Sequence, residues 1–126
     1  MIPKYRAWIK EEKCFADYIE SIRYYSKEID LCWGGICESD CFDFKDVIFT
    51  KSTGLHDKNG KEIFEGDILG TNDGLLDGVV KYRTDLGMWT NDLLRYNNFE
   101  RLCSIANSRE IIGNIYENPE LLEVEE

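Results

Sequence analysis

Three cysteines, Cys32, Cys37 and Cys41, stand close enough in the sequence to raise the question of a metal. A structural zinc site brings paired Cys-x2–4-Cys knuckles and four ligands. Here the gaps are four and three residues, and no second knuckle follows. A fourth ligand would have to come from Cys103 or His56. The pairing pattern is missing, so the spacing predicts buried or incidental thiols rather than zinc. Cys32-Trp33-Gly34-Gly35-Ile36-Cys37 is not a Cys-x-x-Cys redox motif either, because four residues separate its thiols. With Cys14 the cysteines number five. An odd count, and an N-terminus without an apolar signal core, argue against a disulfide framework.

Other polar residues could do chemistry only with partners that the sequence does not supply. Asp57, Asn59 and Glu62 superficially suggest a calcium loop. Such a loop places Gly sixth and Glu twelfth, whereas here Gly60 is fourth from Asp57 and no Glu is twelfth. Turn chemistry accounts for these residues. The single histidine, His56, lies beside that turn with no Cys or Ser motif near it. Glu65 and Asp67 flank Gly66 as paired carboxylates might, but a strand start preceded by a turn explains them. No Gly-rich phosphate loop is present. The expectation is a non-enzymatic protein with no catalytic residue, metal ligand or cofactor.

The elements around these residues read mostly as strands. Lys4 to Lys10 alternates, with Tyr5, Ala7 and Ile9 on one face and Arg6, Trp8 and Lys10 on the other. Glu11-Glu12-Lys13 turns. Residues 14–25 carry Phe15, Tyr18, Ile19, Ile22 and Tyr25 at helical spacing, yet Ile22 to Tyr25, Ser26 to Glu28 and Ile29 to Trp33 also read as strand, turn, strand. Aromatic and β-branched content favours the strands. Residues 34–45 read as a loop in which Phe42 and Phe44 could pair as an edge.

Val47-Ile48-Phe49 and Ile63-Phe64 flank Asp57-Lys58-Asn59-Gly60, where Asn and Gly tolerate the positive φ of a tight turn. This stretch is a hairpin. Turns follow at Glu65-Gly66-Asp67, Asn72-Asp73-Gly74 and Asp85-Leu86-Gly87. Between the last two, Val79 to Arg83 is a half-buried strand with Val80 and Tyr82 on one face. Residues 92–105 suit short strands or one helical turn. Ile111 to Tyr116 is a strand, and Asn118 with Pro119 caps a helix start. Glu123 to Glu126 is an acidic tail.

About five short strands between residues 64 and 117 suit a small SH3-like barrel. The predicted architecture is therefore mainly β with a minor α part. Short hairpins fill an N-terminal subdomain, residues 1–52. The hairpin and barrel fill a second, residues 53–126.

Net charge over the 126 residues is −10, and it is unevenly spread. Residues 1–30 hold six bases and six acids, whereas residues 61–126 hold six bases and fourteen acids. The acidic half would repel a phosphate backbone, so direct nucleic-acid binding is not expected. A solvated acidic surface explains the excess. The sharper alternative is an acidic inhibitor or mimic that occupies a basic partner protein. No apolar run reaches membrane-spanning length, and the expected compartment is the cytoplasm.

One resemblance joins these pieces. Thr53-Gly54-Leu55, Asp57-Lys58-Asn59-Gly60-Lys61-Glu62-Ile63 and Glu65-Gly66-Asp67-Ile68 resemble the signature of the YopX family of phage and prophage proteins. Tyr5-Arg6-Ala7-Trp8 resembles the family's opening motif. Ile111-Ile112-Gly113-Asn114-Ile115-Tyr116-Glu117-Asn118-Pro119-Glu120-Leu121-Leu122 resembles its closing motif. The match spans the chain, with a variable middle. It implies a phage or prophage origin, a host-cytoplasmic setting, a mainly β fold with an SH3-like barrel, and homo-oligomeric assembly. It implies no activity. The expected partners are further copies of the chain and a phage or host protein, and a nucleic-acid-associated module is an alternative reading.

Overall fold

The computed structural model describes residues 4–33 and 38–123. The chain divides into two compact units, Met1–Lys51 and Ser52–Glu126.

The first unit contains β1 (Tyr5–Ile9), β2 (Cys14–Phe15), β3 (Tyr18–Arg23), β4 (Glu28–Trp33), β5 (Glu38–Asp43), a 3-10 turn at Phe44–Asp46 and the start of β6 (Val47–His56). β1 pairs antiparallel with β2 and with β6, setting Tyr5 opposite Lys51 and Ala7 opposite Phe49. β3, β4 and β5 form a three-stranded antiparallel sheet. Period-2 alternation turns Ala7 and Ile9 of β1, Ile29 and Leu31 of β4 and Val47 of β6 into one core, against which Ile22, Phe42 and Phe49 pack. Full burial of Ile29 and Leu31 contributes about 1.5–3 kcal/mol each. Trp8, on the other face of β1, is also buried, its ring 4.9 Å from that of Phe15.

Two expectations change here. Residues 38–43, read as part of a loop, form β5, the edge strand beside β4. Its Glu, Asp and Cys content lowers strand propensity, but the ladder to β4 supplies the backbone hydrogen bonds that the side chains do not predict. Residues 34–37 lie outside the described residues. Tyr24 and Tyr25, read as the end of a strand, lie in the β3–β4 turn, because β3 stops at Arg23.

In the second unit the rest of β6 pairs with β7 (Glu62–Phe64). There follow β8 (Asp67–Gly70), β9 (Gly78–Arg83), β10 (Met88–Leu93), β11 (Phe99–Arg101), the one-turn helix α1 (Leu102–Ile105), β12 (Glu110–Asn114) and a last 3-10 turn at Pro119–Leu122. Five strands in the order β11-β10-β9-β8-β12 make a curled antiparallel sheet, a small barrel of SH3-like type. Ile63, Leu69, Val80, Leu102 and Ala106 form its core. Residues 92–105 thus supply both a short strand and a helical turn. β9 pairs with β10 in unbroken register, so Val80 and Tyr82 share a face as expected, but burial does not follow the faces: Val79 and Val80 are both buried and Tyr82 is 45% exposed. Tyr82 rests edge-on against Trp89, its partner across the ladder, with centroids 5.2 Å apart. Among the described residues no helix is long and apolar enough to cross a membrane.

Candidate functional site

The signature residues come together as a brace. The Asp57-to-Gly60 turn closes β6 onto β7, with Gly60 at φ +79°. Asp57 is buried, and its Oδ1 accepts the N–H groups of Asn59 and Lys61 at 2.9 and 2.8 Å. Its Oδ2 accepts the N–H of Ile111 in β12 at 3.0 Å. Burial pushes the carboxyl up, but the N–H groups of Ile111, Lys61 and Asn59 and the charge of Lys61 outweigh it and hold the carboxyl below its ordinary value. The whole carboxylate is engaged by backbone, which is a turn function. Asn59 Nδ2 and Lys58 Nζ both reach the Glu110 carboxylate, at 3.4 and 3.8 Å.

The remaining signature residues extend the brace. Thr53 donates its hydroxyl to the carbonyl of Ile63 at 2.8 Å and accepts the N–H of Leu55 at 3.1 Å. Gly54 takes φ +78° inside the register shift between β6 and β7, and Leu55 packs on the barrel core. Glu65 is half-buried at the start of the next turn. Gly66 sits at φ +87°, where an added Cβ would lie 3.1 Å from the Tyr116 ring. Its carbonyl accepts the N–H of Ile115 at 2.9 Å. Asp67 is buried and accepts the N–H of Phe64 at 2.8 Å. Asn114 accepts the N–H groups of Tyr116 and Glu117 at 3.1 and 2.8 Å. Gly113 lies so close to Asn118 that a Cβ would come within 2.5 Å of its Oδ1. That Oδ1 accepts the N–H of Asn114 at 3.2 Å, so Asn118 makes no side-chain cap on the Pro119 turn. The expected cap is replaced by this tie to β12.

A second polar centre lies in the barrel. Arg109 holds Glu100 through two bonds, Nη1 to Oε1 at 2.5 Å and Nη2 to Oε2 at 2.7 Å. Asn91 Nδ2 donates to the same Oε1 at 3.1 Å. The Arg109 bond, helped by Asn91 and opposed by burial, keeps the Glu100 carboxyl below its ordinary value. Such a pair, fork to fork and only 8% and 19% exposed, orients strands and leaves no free acid or base.

Among the described residues the cysteines gather at no metal position. Cys32 is fully buried and disulfide-bonded, while Cys14, Cys41 and Cys103 are free. The burial of Cys32 fits the expectation of buried or incidental thiols, while its bond departs from the argument against disulfides, since an odd count forbids complete pairing but not a single pair. Cys37 lies outside the described residues. Cys41 is exposed on β5, with its sulfur 3.3 Å from Glu28 Oε2 and 3.2 Å from Arg23 Nη2. The Glu28 hydrogen bond and desolvation push its thiol up, away from the thiolate that binds metal or attacks an electrophile. His56 ends β6, exposed and opposite Glu62. Among the described residues no three His, Cys, Asp or Glu side chains converge on a metal position.

Among the described residues one apolar surface is concave. In the first unit Tyr5, Ile22, Tyr24, Phe44 and Phe49 line an open pocket of about 210 Å³. Tyr5 and Phe49 meet edge to face at 6.5 Å, Phe44 and Phe49 at 5.7 Å, and Tyr24 and Phe44 at 6.2 Å. This relay of perpendicular rings follows the edge-to-face preference of their quadrupoles. β1–β6 pairing presents Tyr5 and Phe49, β3 presents Ile22, and the Phe44 N–H, bonded to the Lys27 carbonyl at 2.9 Å, ties the Phe44 turn to the β3–β4 turn. Beside the pocket Tyr24 is 76% exposed and Tyr25 is fully exposed. The sequence reading did not gather these residues. Its one available signal was the face shared by Tyr5, Ala7 and Ile9.

Together these features define a class: a mainly β protein with an SH3-like barrel braced by turn-to-strand hydrogen bonds, and an N-terminal unit that opens an aromatic pocket. The chain belongs to the YopX family, whose model, described as YopX protein, matches residues 4–123. It is similar to the crystal structure of protein EF1440 from Enterococcus faecalis, with 30% identity, a TM-score of 0.65, and 98% of this chain and 99% of that one covered. It also shares its fold with the X-ray structure of protein yopX from Bacillus subtilis, at 20% identity and a TM-score of 0.59, with 97% of each chain covered. No curated protein matches.

Proposed function

We propose that the chain acts by binding rather than by catalysis, as a homo-oligomeric scaffold or accessory protein in a phage or prophage setting in the host cytoplasm. The observation that supports this reading is the aromatic pocket with Tyr24 and Tyr25 exposed beside it. Contiguous exposed apolar surface beside a concave site is the usual mark of a protein interface. The polar clusters are otherwise occupied: Asp57 by backbone N–H groups, and Glu100 by Arg109. The other binding reading, an acidic inhibitor or mimic, draws on the second unit, residues 52–126, with seven bases against fifteen acids. Light scattering after size exclusion, on tag-free protein at micromolar concentration, tests the first reading. A multimeric mass supports it. A clean monomer sinks it and shifts weight to the acidic inhibitor.

A further inference from the structure

We propose that Asn59 is a site of spontaneous covalent modification: it deamidates through a succinimide formed with Gly60, and the product loosens the brace between the turn and β12. The inference stands independently of the binding reading.

The dipeptide sets the chemistry. The chain has eight asparagines, and only Asn59 is followed by glycine. In this reaction the backbone nitrogen of the next residue attacks Cγ of the asparagine side chain. A Cβ on that next residue obstructs the approach, and glycine has none. Nothing lies within 4 Å of the position a Cβ would take at Gly60, and both residues are exposed to water. The turn needs the same glycine, because φ there is +79°. The residue that closes the turn thus also leaves its neighbour open to attack. Asn91 and Asn114 are buried, and Asn118 precedes Pro119, which has no N–H to give up. The other asparagines precede Asp73, Asn98, Phe99 and Ser108, each of which carries a Cβ.

The step needs only water. The Gly60 nitrogen loses its proton to solvent base and bonds to Asn59 Cγ, and the side-chain nitrogen takes up a proton and leaves as ammonia. Water then opens the ring. Opening at one carbonyl gives aspartate at position 59. Opening at the other gives isoaspartate, whose main chain runs through Cβ and is one carbon longer. In the folded chain the Gly60 N–H donates to the Asp57 carbonyl at 3.0 Å, so the attack waits on a brief opening of that bond. An exposed turn opens locally without global unfolding.

Both products damage the brace. Asn59 Nδ2 donates to Glu110 Oε1 at 3.4 Å. A carboxylate in place of the amide removes that donor and sets a second negative charge against Glu110. Isoaspartate does more. Its extra carbon falls between the N–H groups of Asn59 and Lys61, which Asp57 Oδ1 holds at 2.9 and 2.8 Å. One oxygen cannot keep both bonds across the longer chain. Asp57 then loses part of the frame from which its Oδ2 holds the Ile111 N–H at 3.0 Å.

The test incubates folded, full-length protein in mildly alkaline buffer. Peptide mass spectrometry follows each asparagine, with isoaspartate separated from aspartate by chromatography, and urea denaturation is measured on the same samples. The wild type should gain the mass of an amide-to-acid conversion at residue 59 before any other asparagine, several-fold faster as the buffer is made more alkaline. Its urea midpoint should fall in step. Asn59→Gln, whose longer side chain closes a ring less readily, should hold its midpoint through the same incubation. Asn59→Asp should have a lowered midpoint from the start, and Asn59→Asp combined with Glu110→Gln should recover much of that loss. Conversion of residue 59 in urea-unfolded protein but not in folded protein overturns the inference. So does earlier conversion at another asparagine, or an aged protein whose midpoint has not moved.

Discussion

Asp57 Oδ2 accepts the backbone N–H of Ile111 at 3.0 Å, across 54 residues of chain. One carboxylate thereby closes a hairpin turn with Oδ1 and fastens β12 to that turn with Oδ2. The pairing of β12 with β8, which sets Ile111 opposite Leu69, then has a fixed end. Asp57→Asn should destabilise the second unit by about 2–3 kcal/mol, because the amide nitrogen faces an N–H and a buried donor loses its acceptor. Asp57→Ala strips all three N–H groups of their acceptor and should cost at least as much. Urea denaturation followed by fluorescence measures both. A loss under ~0.5 kcal/mol for Asp57→Ala would show that the brace is ornamental.

Arg109 and Glu100 lead to a different expectation. Removing one member of a buried pair leaves the other charged and unmatched, at about 3–5 kcal/mol. Arg109→Met should therefore unfold the barrel at markedly lower urea. Arg109→Lys should recover little, since a single ammonium cannot reproduce the two parallel bonds to Oε1 and Oε2. A Lys variant as stable as wild type would mean that charge alone, not the fork, matters here.

What could be read in the sequence follows the range of the interactions. Asp57-Lys58-Asn59-Gly60 announces its turn because φ +79° at Gly60 is a local demand. The alternation of Ala7 with Ile9, and of Ile29 with Leu31, announces strands because burial follows a period of two. Nothing local says that Asp57 reaches Ile111, or that Glu100 meets Arg109. Those contacts exist only once the sheet has formed. Of β5 only a possible edge at Phe42 and Phe44 was legible, because Glu38, Asp40 and Asp43 are poor strand formers, and pairing with β4 overrides that tendency. Tyr24 and Tyr25 misled in the opposite way: aromatic residues usually belong to strands, but these stand in a turn. The pocket they border joins side chains from β1, β3, β6 and the Phe44 turn, which no short window of sequence contains.

Gly113 and Asn118 should show strong coupling. A Cβ on residue 113 would lie 2.5 Å from Asn118 Oδ1 and 3.0 Å from Leu121 Cδ1. Gly113→Ala must displace the Asn118 amide and break its bond to the Asn114 N–H, a combined loss of about 2 kcal/mol. Asn118→Ala alone should cost about 1 kcal/mol. In the double variant the clash with Asn118 and the broken bond coincide, so the total should fall short of the sum by at least 0.5 kcal/mol. Strict additivity in thermal or urea unfolding would refute the proposed contact.

Stability should decline in acid for a reason traceable to two carboxylates. Asp57 and Glu100 are both held below their ordinary values, the first by backbone N–H groups against the pull of burial, the second by Arg109. A group whose folded value is depressed binds fewer protons folded than unfolded. Its contribution is complete above the unfolded value, near 3.8 for Asp57 and 4.5 for Glu100, and is lost as pH falls through the lower folded value. The urea midpoint should thus be flat with respect to these two groups at neutral pH and should drop below about pH 4.5. Asp57→Asn removes one titrating group, so its midpoint, lower at neutral pH, should fall less steeply with acid than that of the wild type. Parallel acid profiles for the two proteins would mean that Asp57 has the same affinity for a proton in the folded and unfolded chain, contrary to the hydrogen bonds that surround it.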